Sequence, residues 1–149
     1  MIPECQQYAS SLASLLSQLA KSVEGLGTDA LDWVPVAGAN NLTVLVAHAV
    51  GSERLLIGQL VGGIDAHRDR DAEFSLRGVD ADHLKRLLAE AETVSAGVLS
   101  RLTEEDMALQ HPHREGPKTT RWCVVHAIEH VAEHLGHAGL TRQLGDARR

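Results

Sequence analysis

Four of the chain's nine histidines, His126, His130, His134 and His137, fall in one short stretch. On an α-helix each residue advances about 100°, which puts His137, His130 and His134 at about 20°, 40° and 80° from His126, all on one face. Residues four apart on a helix have Cβ atoms roughly 5–6 Å apart, close enough for two imidazoles to share one metal ion. Such a His-x-x-x-His segment supplies two ligands and needs a third from another element. His48 is the candidate. Val44 and Leu45 lie a turn before it and Leu55 two turns after, so it stands on a core-facing stripe where Leu would be expected. A buried imidazole needs partners for its ring nitrogens, and a metal shared with the later helix supplies one. A lone helical histidine is ordinarily a solvated or hydrogen-bonded residue, but this combination points to His48, His130 and His134 as ligands of one divalent metal ion.

Three neutral imidazoles leave such an ion its full charge and an open position, where water acquires a pKa of about 7 or a thiol binds as thiolate. Either is a nucleophile at neutral pH. Glu129 and Glu133 each precede a proposed ligand. Glu133 lies about 20° from His126 on the side away from His130, where it would orient a ligand or serve as a base, although an exposed helical Glu is the commoner state. His126 and His137 bracket the pair and would hold water or substrate beside the metal. Cys123 is either a ligand for a soft metal or, more commonly, a small buried apolar residue. His67, His83, His111 and His113 fall in loops or on solvated faces and carry no predicted role.

Two catalytic alternatives share parts of this pattern. His126-x-x-Glu129-His130 and His130-x-x-Glu133-His134 match the motif of inverted zinc peptidases, whose third ligand comes from well downstream, whereas this chain ends at Arg149. A di-iron carboxylate bundle needs Glu-x-x-His repeats on paired helices, and none occurs here. A different class stays open: a metal-stabilised binding module without catalysis.

Four long helices must position these groups. The first runs from about Glu4 to Gly25, with Leu12, Leu15, Leu16, Leu19 and Val23 at helical spacing and Gly25 and Gly27 closing it. Thr28 to Ala39, with Trp33 packed inside it, reads as a structured connection. Asn40 or Asn41 caps the second helix, which runs to about Val61 and stops at Gly62-Gly63. The charged stretch Asp65 to Gly78 reads as a loop. Asp80 caps a third helix from Ala81 to about Leu102, Thr103 to Lys118 is a polar loop, and the fourth helix runs from Thr119 or Thr120 to about Leu144, before Gly145.

Composition sets the outer bounds. A chain of 149 residues suits one domain. Apolar residues make up 44% and aromatics only 3%, with Leu, Ala and Val dominant, which favours an all-α fold over a sheet. The net charge of −6 leaves no broad basic surface for nucleic acid or anionic lipid. Cys5 and Cys123 form no CxxC pair, as expected in a reducing cytoplasm. No signal peptide is expected, and no uninterrupted apolar stretch approaches the ~20 residues of a membrane span.

The segments His48-x-x-Gly51-Ser52-Glu53-Arg54-x-x-Ile57-Gly58-x-x-Val61-Gly62-Gly63 and Arg68-Asp69-Arg70-x-Ala72-Glu73-Phe74 resemble the second helix and its exit in the DinB-like superfamily of metal-dependent proteins. His126-x-x-Glu129-His130-x-x-Glu133-His134-x-Gly136-His137 is similar to that superfamily's last helix. Leu31-Asp32-Trp33-x-Pro35 through Gly38-x-Asn40-Asn41-Leu42 also matches its first connection. The resemblance implies a four-helix bundle of up-down-down-up type with a long crossover between the second and third helices. It implies a Zn²⁺ or Ni²⁺ site built from His48, His130 and His134, and a homodimer. For some members it implies a transferase or isomerase using a low-molecular-weight thiol such as mycothiol or bacillithiol on a small molecule.

Overall fold

Asn41, Asp80 and Thr119 each end an extended segment and accept a hydrogen bond from the backbone N–H three residues on, at Val44, His83 and Trp122. Satisfying a free amide of the first turn in this way starts three of the long helices where their polar side chains predict. In the computed structural model, which describes all 149 residues, α1 spans Pro3–Val23, α2 Thr28–Leu31 and α3 Leu42–Glu53. The last continues without a break as π-helical turns over Arg54–Val61. α4 spans Arg70–Ser75, α5 Ala81–Leu99 and α6 Thr120–Arg148.

α1 packs on α5 and α6, and α3 with its π-helical continuation packs on the same two, so α1 and α3 sit diagonally across a four-helix bundle. Contacts fix the directions. Arg121 pairs with Glu4 at one end, and the Arg142 guanidinium donates to the carbonyls of Ser22 and Glu24 at the other, so α1 and α6 run parallel. Arg54 pairs with Glu90, Gly58 lies against Val94 and Gly62 against Val98, so the second long helix runs parallel to α5. Leu45 shares a groove with His137 and Thr141, while Leu60 shares a cleft with His126, so α3 and α6 are antiparallel. The topology is up-down-down-up, with the crossover between Gly62 and Asp80.

The core is built from the apolar stripes of all four helices, among them Leu12, Leu16, Leu45, Val46, Leu84, Leu88, Val124 and Val131. Leu42–Val61 forms a 20-residue helix with mean hydropathy 1.3, long and apolar enough by composition to cross a membrane, although His48, Glu53 and Arg54 interrupt its apolar run. It is the central helix here, with 67% of its most apolar stretch buried inside the bundle.

Several boundaries differ from the sequence expectation. The stretch Asp65 to Gly78 is not all loop: Asp69 accepts from the Ala72 amide and starts α4. The third long helix stops at Leu99, short of Leu102, because Ser100 and Arg101 bring no apolar side chain to the core and the chain tightens into turns there. The loop Thr103 to Lys118 holds a 3₁₀ turn at Asp106–Ala108 and a short antiparallel ribbon, β1 Gln110–His111 with β2 Lys118–Thr119. The last helix does not end before Gly145. Trp33 packs on the bare backbone of Gly145, where a Cβ would stand 3.4 Å from the indole, and the Arg148 guanidinium lies 4.7 Å over the same ring. This contact carries α6 a turn further than its apolar periodicity does.

Candidate metal centre

His48 projects from the middle of α3, and His130 and His134 from consecutive turns of α6, the antiparallel neighbour. One ring nitrogen from each of the three lies within 4.8 Å of the others. The Nε2 atoms of His130 and His134 are 3.1 Å apart. The His48 ring lies 4.9 Å from that of His130 and 5.0 Å from that of His134, edge-on in both cases. A tetrahedral ion with metal–nitrogen bonds of about 2.0–2.1 Å sets its ligand nitrogens roughly 3.3 Å apart. The His130–His134 pair meets that spacing, the three donor atoms together span up to 4.8 Å, and the donor set, three imidazoles and no carboxylate, suits a zinc-type or nickel-type ion that draws His48 in.

The electrostatics keep these donors free of protons. Burial, reinforced by the neighbouring imidazoles of His134 and His48, pushes the pKa of His130 down to about 3. Burial, then repulsion from His48, pushes His134 down to about 4. Both rings are neutral at pH 7, so each has a lone pair to offer. Their Nδ1 atoms are buried without a hydrogen-bond partner, so packing and whatever binds at Nε2 orient the two rings.

His48 is oriented differently. Its Nδ1 donates to Glu73 Oε2 at 2.9 Å, which leaves Nε2 as the free donor atom facing α6. Glu73 comes from α4 and is itself held by Arg68, whose Nε donates to Oε1 at 2.8 Å and whose Nη2 donates to Oε2 at 3.1 Å. Burial of Glu73 opposes its charge, but the hydrogen bonds from His48 and Arg68 prevail and hold its pKa below the usual carboxylate value. Such a carboxylate fixes both the tautomer and the rotation of a metal-binding imidazole. Space for it exists because residue 51 is Gly: a Cβ there would stand 1.9 Å from Glu73 Oε1.

The sequence brings His48, His130 and His134 together as expected but assigns no role to Glu73, Arg68 or Gly51. Their signal lay in the motif segments His48-x-x-Gly51 and Arg68-Asp69-Arg70-x-Ala72-Glu73-Phe74, not in any periodicity. His126 is half-exposed, stacks on Trp122 with ring centroids 4.5 Å apart and lines the cleft beside the cluster. His137 is exposed, its ring 5.7 Å from that of His134. Glu129 and Glu133 are exposed, and Cys123 is fully buried outside the cluster. His113, without a predicted role, packs edge-on against Trp122 and lines the same cleft.

That cleft, about 370 Å³, opens between the π-helical turns and α6 and reaches His48 and His130. An up-down-down-up bundle with three histidines clustered between its second and last long helices is what the resemblance to the DinB-like proteins implies. Within them the chain belongs to the mycothiol-S-transferase family, whose model matches residues 7–147. No curated protein sequence gives a significant match. A conserved protein from Enterococcus faecalis has the same fold, with a TM-score of 0.84 at 16% identity over 99% of both chains. YfiT from Bacillus subtilis, described as a probable metal-dependent hydrolase with an unusual four-helix bundle topology, aligns with a TM-score of 0.77 at 18% identity over 96% of this chain and 89% of its own. A DinB-like protein from Bacillus cereus aligns with a TM-score of 0.75 at 14% identity over 93% and 90%. At these identities the likeness establishes the fold.

Proposed function

We propose that His48, His130 and His134 hold one Zn²⁺ or Ni²⁺ ion and that the protein is a metal-dependent transferase in which a low-molecular-weight thiol, mycothiol for its family, attacks a small-molecule substrate. The observation that carries this reading is the convergence of three imidazole nitrogens, two of them on rings that burial keeps neutral, at the edge of an open cleft. Membership of the mycothiol-S-transferase family supports the thiol. The likeness to YfiT supports metal dependence and makes hydrolysis, with water in place of the thiol, the second reading. The enzyme is expected to work in the cytoplasm, as a homodimer.

Held by His48, His130 and His134, a divalent ion would serve as a Lewis acid and would lower the pKa of a thiol or water toward neutrality. The protein's own residues do the rest. Glu73 holds the Nδ1 proton of His48 and so keeps Nε2 available, and Arg68 keeps Glu73 ionised and in place. Leu55, Leu56 and Leu60 line one wall of the cleft and give it an apolar surface for the substrate. His126, at the cleft wall and stacked on Trp122, is placed to exchange a proton with substrate.

The test is a titration of Co²⁺-substituted protein with mycothiol, followed in the visible spectrum. The expected result is a thiolate-to-cobalt absorption that saturates and is absent in His134→Ala. A spectrum unchanged by mycothiol, azide or other small ligands would mean that no coordination position is open, and a metal-stabilised binding module would replace the enzyme.

A further inference from the structure

The cleft beside the three histidines is lined by no acidic side chain, in a chain with 20 Asp and Glu against 14 Lys and Arg. Arg68, Arg70 and Arg114 all line it. Arg68 is already engaged, with both hydrogen bonds on Glu73. The other two donate no hydrogen bond to a carboxylate. The Arg70 guanidinium lies 4.7 Å over the Phe74 ring, and that ring in turn lies 4.7 Å from the ring of His48. A cation over an aromatic face is positioned without using its N–H donors. Phe74 thus ties Arg70 to a proposed metal ligand while leaving its fork open. Arg114 comes from the loop across the cleft, where its exposed side chain makes only a long ion pair, Nε to Glu115 Oε1 at 3.8 Å, and keeps its hydrogen-bond donors for a ligand. The same cleft has apolar lining from Leu55, Leu60 and Pro112.

We propose that this cleft takes a small organic anion, with its carboxylate on Arg70 and Arg114 and its apolar body against Leu55, Leu60 and Pro112. The inference rests on the metal-centre reading above, because it makes this anion the substrate presented to the group held by His48 and His130. Guanidinium forks suit a planar carboxylate, which accepts two parallel hydrogen bonds. The apolar wall selects against inorganic anions, which would leave it uncovered.

The test is calorimetric titration of zinc-loaded protein with 3-phenylpropionate and with its uncharged amide, at low ionic strength. The carboxylate is expected to bind about tenfold more tightly than the amide, the scale of one charge-assisted hydrogen bond in a partly exposed site. Arg70→Gln combined with Arg114→Gln is expected to remove that preference while zinc content and melting temperature stay unchanged. Added salt should weaken the carboxylate and leave the amide unaffected. Equal binding of acid and amide overturns the inference. So does a preference that persists in the double variant, which would put the carboxylate on the metal and leave the metal-centre reading intact. Failure of that reading has its own signature, zinc content unchanged in His130→Ala.

Discussion

Two buried carboxyl groups, Glu73 and Glu53, behave in opposite ways, and each makes a prediction. Glu73 is buried but ionised, because His48 and Arg68 both donate to it. Glu73→Ala is expected to weaken metal binding about 10- to 100-fold while the bundle stays folded, since the lost group orients a ligand without being one. Gly51→Ala should do the same, because its methyl group would occupy the space of Glu73 Oε1. Competition against a chromophoric chelator measures both, and wild-type affinity in both would contradict the role given to Glu73. Glu53, only 1% exposed, forms no ion pair, and the charge of Arg54 next to it lowers its pKa less than burial raises it. Ser95 donates to one of its oxygens and the other has no partner. Burial, only partly offset by the Ser95 hydrogen bond, raises its pKa from 4.5 to about 7. The native state therefore keeps a proton that the unfolded chain releases between pH 4.5 and about 7, so rising pH across that window costs stability. Glu53→Gln has no proton to lose and should be more stable than wild type at about pH 8 by on the order of 2–3 kcal/mol, with the advantage shrinking toward about pH 5. The depressed histidines shift stability the other way with pH, but they are common to both proteins and cancel in the difference. Denaturant unfolding at the two pH values checks it, and a difference independent of pH would contradict it.

At the scale of elements, three of the long helices were legible by their capping side chains, Asn41, Asp80 and Thr119, and α1, which has none, by its apolar period and the glycines that close it. α4 was not. Six residues are too short to show a period, and its charged composition reads as loop, yet it carries Glu73 into the site. The π-helical turns were equally hidden: the sequence predicts a helix to Val61 and gets it, but not the wider hydrogen-bond pattern over Arg54–Val61 that places Leu55, Leu56 and Leu60 along the cleft. Asp32 is another element-level device. Its carboxylate accepts from Thr43 Oγ1 at 2.7 Å and from the Gly78 amide at 2.8 Å, and Asn41 Nδ2 donates to its carbonyl at 3.2 Å. One residue thus joins the start of α3 to the end of the crossover that leads into α5. Asp32→Ala is expected to destabilise the fold by about 1–3 kcal/mol, since partners on two elements lose their acceptor. Urea unfolding reads this directly, and a change within about 0.5 kcal/mol, the scale of an ordinary surface substitution, would contradict it.

At the scale of the molecule, the three clustered histidines sit on two antiparallel neighbours, so they meet only when α3 and α6 dock. The proposed metal site would link binding to folding, and a chelator should then lower the melting temperature of the wild type. The clustering of His48, His130 and His134 was legible from type and spacing, because an imidazole on a core-facing stripe must find a partner for its ring nitrogens and the His-x-x-x-His face of the last helix offers one. Their supporting shell was not, because it crosses from the second long helix to the crossover and depends on packing no local pattern encodes. The most direct measurement is metal content by elemental analysis, with melting temperature, for wild type, His48→Leu, His130→Ala and His134→Ala. A three-histidine site predicts about one divalent ion per chain in the wild type and little in any variant, with His48→Leu still folded because Leu continues the apolar stripe. Variants that fold and retain the wild-type metal content would contradict it.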